Sequence, residues 1–422
     1  MKKLKGIKVV FVLFFLIIFV SFQAFSFSAQ SDMFFERLNQ LENDSFSPLC
    51  VSRYVSKMNA REKIAQLLMT SVHGKSEFDS KSDFNDGIAP GGYLFFKFNC
   101  EDSADKIQHF TSSIKNYYRN KGRIPPYLAI DHEGGLVNRL RAIYPDFVSQ
   151  LDVAQNYDRK QAYQIYLEQA NALKSLGFDM NLAPVVEELT DENVDFLVNR
   201  SFGSLDTIKE YGSVFLDSHF EANVMPVLKH FPGNTNDDPH YGVPDLKVDK
   251  SGFDHMITPF RDVLNRSKLS DQMCGILISH AMVSQVFGKT PSCFSKELVN
   301  DLLIEEIGFR GLVISDDVYM AALTKSGYMP ESSAVKMILS GIDVIMISGQ
   351  KFIPILNYLE AEYAKNPVFK VRVDESCEKV IASKVKMGLM LPDTVSSSAN
   401  YYPAFEKCGF PVFHYYNLEF FN

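Results

Sequence analysis

The stretch LKHFPGNTNDDPHYGVP, residues 228–244, places one lysine, two histidines and an adjacent pair of aspartates in a segment interrupted by proline and glycine. Proline removes a backbone donor and fixes φ, so this segment is neither a helix interior nor a central strand. It reads as a loop that carries Lys229, His230, Asp238 and His240. Histidine titrates near neutral pH and suits proton transfer to a leaving group. Asp238, two residues before His240, is placed to hold the imidazole and set its tautomer. Other polar residues close short apolar runs: Asp131 ends YLAID, His280 ends GILISH, and Asp316 with Asp317 ends LVISDD. A carboxylate at a strand end serves as a nucleophile or stabilises a developing cation. Lys229 and Arg200 can grip hydroxyl or carbonyl oxygens. The chemistry indicated is acid–base and nucleophilic work on a polar substrate.

Metal chemistry has little support. There is no HExxH pattern, no CxxC pair, and the six cysteines (50, 100, 274, 293, 377 and 408) are scattered singly. No metal and no cofactor is expected. The cysteines read first as buried thiols, with one or two disulfides as the alternative.

The elements that must position these residues follow from hydrophobic patterning. Eight short apolar runs flanked by turn residues read as strands buried on both faces: 67–72, 91–97, 127–131, 178–183, 224–230, 275–280, 312–317 and 343–348. Amphipathic segments between them read as helices, among them Lys160–Leu176, Thr207–Ala222 and Ser295–Ile307, the last with Ser295 as N-cap and Gly308 as stop. Two closing helices are expected at Phe352–Lys365 and Val371–Met387. Eight strand-then-helix units predict an α/β fold, a (β/α)8 TIM-type barrel forming a single catalytic domain. The rival doubly wound sheet lacks a Gly-rich phosphate loop after its early strands. In such a barrel the active site forms at the C-terminal ends of the strands, where these polar residues fall. A polar strand end also has a plain reading as a helix cap. That reading is preferred for Asp317 and kept open for His280, but it does not cover four strand ends converging on one mouth.

With 422 residues, 46% of them hydrophobic, the chain can bury a large core. No Lys/Arg-rich block follows the N-terminus and the formal charge is -8, so a nucleic-acid partner is not expected. The N-terminus, MKKLKGIKVVFVLFFLIIFVSFQAFS, combines four lysines with an apolar run from Val9 to Val20, the pattern of a secretory signal peptide. An uncleaved anchor over Val9–Phe25 is the alternative, and would be the chain's one membrane contact. Removal of the four lysines takes the charge from -8 to -12. The expected organisation is a leader (1–26), a lead-in (27–55), the barrel (56–392) and an aromatic tail (393–422). An exported monomer is expected, periplasmic, in the cell envelope or extracellular.

Several motifs in order now resemble a known family. MNAREKIAQLLM, AIDHEGGLVNRL, NLAPVVE, NRSFGS, LKHFPG followed by D-x-H, GFRGLVISDDVYM and AVKMILSGIDVIMIS are similar to segments of family 3 glycoside hydrolases, of the bacterial single-domain β-N-acetylglucosaminidase (β-N-acetylhexosaminidase) type. The resemblance covers about Met58 to Leu391. It implies Asp316 as nucleophile, His240 as acid/base with Asp238 as its partner, and Asp131, Arg139, Arg200, Lys229 and His230 as sugar-binding residues. The reaction implied is removal of a terminal β-linked N-acetylglucosamine, by retaining double displacement, from an oligosaccharide or muropeptide. Peptidoglycan turnover and chitin-type substrates are both compatible with it, as is phosphate in place of water as acceptor. Glu133 is open between a structural and a direct role, and Gly134–Gly135 reads as a turn that brings backbone close to the sugar.

The chain departs from the family pattern in places. Asn234 stands for a second histidine, His230 and His240 are ten residues apart in a loop two residues shorter than usual, Pro239 lies between Asp238 and His240, and Leu136 replaces an arginine. Two alternatives are motivated: a family 3 β-glucosidase or β-xylosidase, and an exported amino-sugar-binding protein with weak catalysis.

Overall fold

The computed structural model describes residues 48–81, 87–100, 103–237, 242–267, 273–349 and 351–390. The expected leader (1–26), most of the lead-in and the aromatic tail (393–422) lie outside the described residues. Everything below concerns the unit Val55–Leu391; of the other unit, Met1–Tyr54 with Pro392–Asn422, only residues 48–54 are described, in the helix Pro48–Lys57.

Each of the eight apolar runs forms a strand: β1 Leu68–Ser71, β2 Gly92–Phe95, β3 Tyr127–Ile130, β4 Met180–Asn181, β5 Met225–Phe231, β6 Gly275–Ile278, β7 Leu312–Asp317 and β8 Val344–Ile347. Neighbours pair in parallel and β1 closes on β8, with Met69 opposite Met346, so the sheet is a closed barrel. Burial on both faces explains the unbroken apolar runs. Inward residues such as Met69, Met180, Met225 and Ile314 fill the barrel, while Phe95, Phe110 and Phe178 pack the layer between sheet and helices. Entry to β2 requires Gly91, since a Cβ there would stand 2.0 Å from the Gln66 carbonyl oxygen.

Local signals set the helix ends. Asp158 caps Arg159–Ser175 in a capping box with Gln161, and Ser204 caps Leu205–Glu221. The closing helix starts at Pro367 and not Val371, because Asn366 caps it and Pro367 occupies its first turn, where no amide donor is needed. The segment expected as Ser295–Ile307 winds as a π-helix over Glu297–Glu306; Ser295 Oγ accepts from the Leu298 amide at 3.2 Å.

Behind β3 and β4 lies a polar pocket of the core. His219 is fully buried, donates from Nδ1 to the Phe215 carbonyl (3.1 Å) and accepts at Nε2 from Asn181 Nδ2 (3.1 Å), a partner set that requires the neutral ring. His132 is equally buried, edge-on to Phe147, and neither ring nitrogen has a hydrogen-bond partner among the described residues. Burial lowers the pKa of His132 to about 4 and that of His219 to about 3. Unfolded histidine titrates near 6.5, so unfolding takes up protons below that pH. The contribution of these rings is complete above about pH 6.5 and is lost as pH falls toward their folded values, by up to about 1.4 kcal/mol per pH unit for each ring. Urea unfolding measured between about pH 6.5 and 5 should show this slope, and His132→Phe, which keeps a ring beside Phe147, should remove one proton's share of it. An unchanged slope in that variant would assign the acid sensitivity elsewhere.

Candidate active site

The C-terminal ends of the strands surround a cavity of about 360 Å³ whose lining includes Asp131, Arg139, Arg200, Lys229, His230, Asp316 and Asp317. Six of the eight sequence-predicted site residues therefore share one cavity; Asp238 and His240 lie outside the described residues. Apolar side chains complete it, with Met69, Leu277 and Met346 from the strands, Leu182 just past β4, Phe196 from the short helix Val194–Leu197, and Phe96 and Met320 from the loops.

Alternation along β3 and its extension sends Asp131 and Glu133 to one side and His132 to the other. Inside, Lys229 Nζ lies 2.5 Å from Asp131 Oδ1 and 2.6 Å from Glu133 Oε1. Arg200 gives two N–H groups to the two Glu133 oxygens at 2.8 and 2.9 Å, and Arg139 Nη2 meets Asp131 Oδ2 at 2.8 Å. Three cations thus face two carboxylates, and the Glu187 carboxylate also acts on Arg200. Burial opposes ionisation of Asp131, but Lys229 and then Arg139 outweigh it and hold the carboxyl far below the ordinary range. Glu133 behaves alike: burial pushes its pKa up, while Lys229 and Arg200 bring it below normal. Both carboxylates stay ionised at neutral pH.

Consecutive residues on a regular strand point to opposite faces, yet Lys229 and His230 both line the cavity. The β5–β6 register shifts between Leu228 and Phe231, where the Lys229–His230 peptide is cis. Past β4, residues 184–186 run beside β5, with Lys229 N donating to Pro184 O and Val186 N to Lys229 O, each at 3.0 Å. That delivers Glu187 to His230: the carboxylate accepts from the His230 amide (3.1 Å) and meets its Nδ1 at 2.7 Å. Asn234 Nδ2 donates to both Glu187 oxygens, at 2.9 and 3.2 Å. An amide here supplies the donor without a titratable ring.

The same device recurs at β7, whose register against β8 shifts between Ile314 and Asp317. Ser315 Oγ accepts the Met346 amide (3.1 Å) and Asp317 Oδ1 accepts the Ser348 and Tyr319 amides (3.0 Å each). Asp316 Oδ1 accepts the Asp317 amide at 2.7 Å. Asp317 therefore braces backbone, but it is not the helix cap expected, since the next helix, Ala321–Thr324, is preceded by Met320 with no side-chain cap. Burial raises its pKa, opposed by the bonds from Ser348 and Tyr319.

The reading of Gly134–Gly135 needs correction. The pair does form a turn, with φ of +89° and +54°, but the close neighbour is protein: added Cβ atoms would stand 2.2 Å from the Val148 carbonyl oxygen and 2.5 Å from Ser149 Cβ. The glycines admit the 147–149 segment rather than a ligand. Sequence reasoning assigned no role to Glu187, Phe96 or Phe196. Glu187 closes the quoted segment NLAPVVE but lies six residues past β4, so the strand-end rule applied to the other polar residues does not reach it. The cavity-lining phenylalanines carried no strand-end signal either. Leu136, in place of the family's arginine, is 57% exposed.

Comparisons with known proteins agree with this architecture. Residues 59–383 match the model described as the glycosyl hydrolase family 3 N terminal domain. Over 339 residues, 78% of this chain and 83% of the relative, the sequence is 26% identical to the beta-hexosaminidase LpqI of Mycobacterium tuberculosis. A beta-hexosaminidase of Idiomarina loihiensis is 28% identical over 235 residues, 54% of this chain and 68% of the relative. A solved structure of M. tuberculosis LpqI superposes with a TM-score of 0.69 at 24% identity, over 79% of this chain and 96% of that one. A family 3 beta-N-acetylglucosaminidase from a Paenibacillus strain gives 0.71 at 22% identity, over 83% and 68%.

The ion cluster itself can be tested. Glu133→Gln leaves Arg200 and Lys229 short of one buried countercharge, and loss of one partner from a buried network costs about 3 kcal/mol or more. Urea denaturation at neutral pH should show a loss of that size; a loss under about 1 kcal/mol would mean that Asp131 alone suffices to hold both cations. With the fold, the cavity and the matched residues taken together, the chain belongs to glycoside hydrolase family 3.

Proposed function

We propose that the protein is a retaining β-N-acetylhexosaminidase that removes terminal β-linked N-acetylglucosamine. The observation that carries this reading is the presence of Asp316 in one cavity with Asp131, Lys229 and Arg200, whose charges are tied together by the buried Glu133. An ionised Asp131 accepts hydrogen bonds from sugar hydroxyls, while Lys229 and Arg139 donate to sugar oxygens. A cavity of about 360 Å³ suits a small ligand, and one amino sugar is its natural occupant in this reading. The remainder of an oligosaccharide or muropeptide leaves through the mouth.

In the first step Asp316 attacks the anomeric carbon as the bond to the leaving oxygen breaks, and His240, held by Asp238, gives that oxygen its proton. A covalent glycosyl-enzyme results. His240 then takes a proton from water, which displaces Asp316 and releases the sugar with retained configuration. Positive charge that develops on the ring is stabilised by Asp316 itself, and the hydroxyl contacts to Asp131 strengthen as it develops. Residues 1–26 direct export, which puts the activity in the periplasm, envelope or outside the cell, where cell-wall fragments and chitin-type oligosaccharides both fit the reading.

Aryl N-acetyl-β-glucosaminide, β-glucoside and β-xyloside, assayed with and without phosphate, test this reading: only the first should be turned over efficiently, and preference for either of the others rejects the amino-sugar assignment. Asp316→Asn should lower kcat on the first substrate by about 1,000-fold or more without loss of folding. Near-normal turnover would remove Asp316 as nucleophile. In His240→Ala the loss should be greatest for aryl groups that leave poorly; a uniform loss across leaving groups argues against proton donation.

A further inference from the structure

His280 lies two residues past β6, is 3% exposed, and has no part in the mechanism above. Its Nε2 lies 2.9 Å from the backbone carbonyl oxygen of Asp317, and its Nδ1 lies 3.3 Å from Cys293 Sγ. A carbonyl oxygen only accepts, so Nε2 carries the proton. In the neutral ring Nδ1 is then an acceptor, and the fully buried Cys293 thiol supplies its S–H. Cys293 sits in the short turn Ser292–Phe294, whose own place is held by Ser340 Oγ donating to the Cys293 carbonyl at 2.9 Å. The ring is thus fixed from both ends, as a histidine must be if it is to hold something else still.

What it holds is the residue next to Asp316. Asp317 is attached on three sides: its carbonyl accepts from His280 and from the Met320 amide (2.9 Å), its carboxylate accepts the Tyr319 and Ser348 amides, and its own amide donates to Asp316 Oδ1. The first two attachments immobilise Asp317, and the third transmits that to the Asp316 carboxylate. The arrangement depends on the irregular end of β7. There, side-chain oxygens of Ser315 and Asp317 take the β8 amides, which leaves the Asp317 carbonyl for a partner on β6. Strands β6 and β7 are paired up to Ile278 and Ser315, so His280 lies level with Asp317 on the neighbouring strand.

We propose that His280, oriented by Cys293, is a positioning residue that aims the Asp316 carboxylate by fixing the Asp317 carbonyl. This rests on the reading of Asp316 as nucleophile. It assigns His280 to nucleophile geometry and excludes it from proton transfer and from sugar binding. A misplaced nucleophile costs the chemical step more than it costs ground-state binding.

The variants His280→Leu, His280→Gln and His280→Asn separate this role from simple packing. The Gln amide nitrogen reaches the place of Nε2 and can still donate to Asp317; the Asn amide reaches only the place of Nδ1. With the aryl N-acetyl-β-glucosaminide, Leu and Asn should lower kcat on the order of 100-fold with KM within about threefold of wild type, and Gln should recover at least about tenfold of that loss. In crystals of the Asn and Gln variants the Asp316 carboxylate should be displaced in the first and retained in the second. If the Leu variant does not fold, the Asn–Gln pair carries the test. A folded Leu or Asn variant with wild-type kcat, or equal losses in Asn and Gln with Asp316 unmoved in both, overturns the proposal. Should the wild-type enzyme turn over no amino sugar, the functional reading fails by itself, and the crystallographic position of Asp316 still decides the role of His280.

Discussion

Two carboxylates, Asp131 and Glu133, stand just past the end of β3, and the whole site depends on how their charge is compensated. Glu133 is almost fully buried, and an isolated ion there would neutralise or unfold its surroundings. Lys229 resolves this by bridging both carboxylates, while Arg200 and Arg139 each add a further pair. Asp131, Glu133, Arg200 and Lys229 come from three places in the chain: just past β3, the segment between β4 and the helix Leu205–Glu221, and β5. None is tolerable without the others. Electrostatic compensation therefore ties these three places together more tightly than packing alone would, and it leaves Asp131 ionised and partly accessible at the cavity.

A second constraint is geometric. A parallel barrel presents alternate residues to its interior, which limits each strand end to one inward side chain in two. The chain escapes this limit twice, at β5 and at β7, by shifting register. At β5 the irregular end holds the cis Lys229–His230 peptide and both side chains reach the cavity, with Glu187 holding His230 and Asn234 holding Glu187. At β7 it turns the side chains of Ser315 and Asp317 into substitutes for ladder acceptors and leaves Asp316 to face the cavity. The two irregular strands lie either side of the regular β6, and His280, two residues past its end, donates to the Asp317 carbonyl of one of them. Fixed polar groups in a preorganised pocket are what charge-developing reactions require.

The amino-acid sequence by itself determined the barrel and most of the site. Eight apolar runs of strand length, separated by amphipathic segments, leave few architectures open, and each run became a strand because burial on both faces demands that pattern. The strand-end positions of Asp131, Lys229, His230 and Asp316 were legible because barrel topology sends every such end to the same face. The tertiary structure decided the partnerships. That Glu133 neutralises Lys229 and Arg200, that Glu187 takes His230, that Gly134 and Gly135 admit the 147–149 segment instead of a ligand, and that His280 reaches the Asp317 carbonyl all depend on approaches between residues distant in the chain. Local periodicity records which face of an element is buried, but it carries no record of which distant group will be opposite, because that is set by barrel closure and by strand registers that shift where the pattern itself is unbroken.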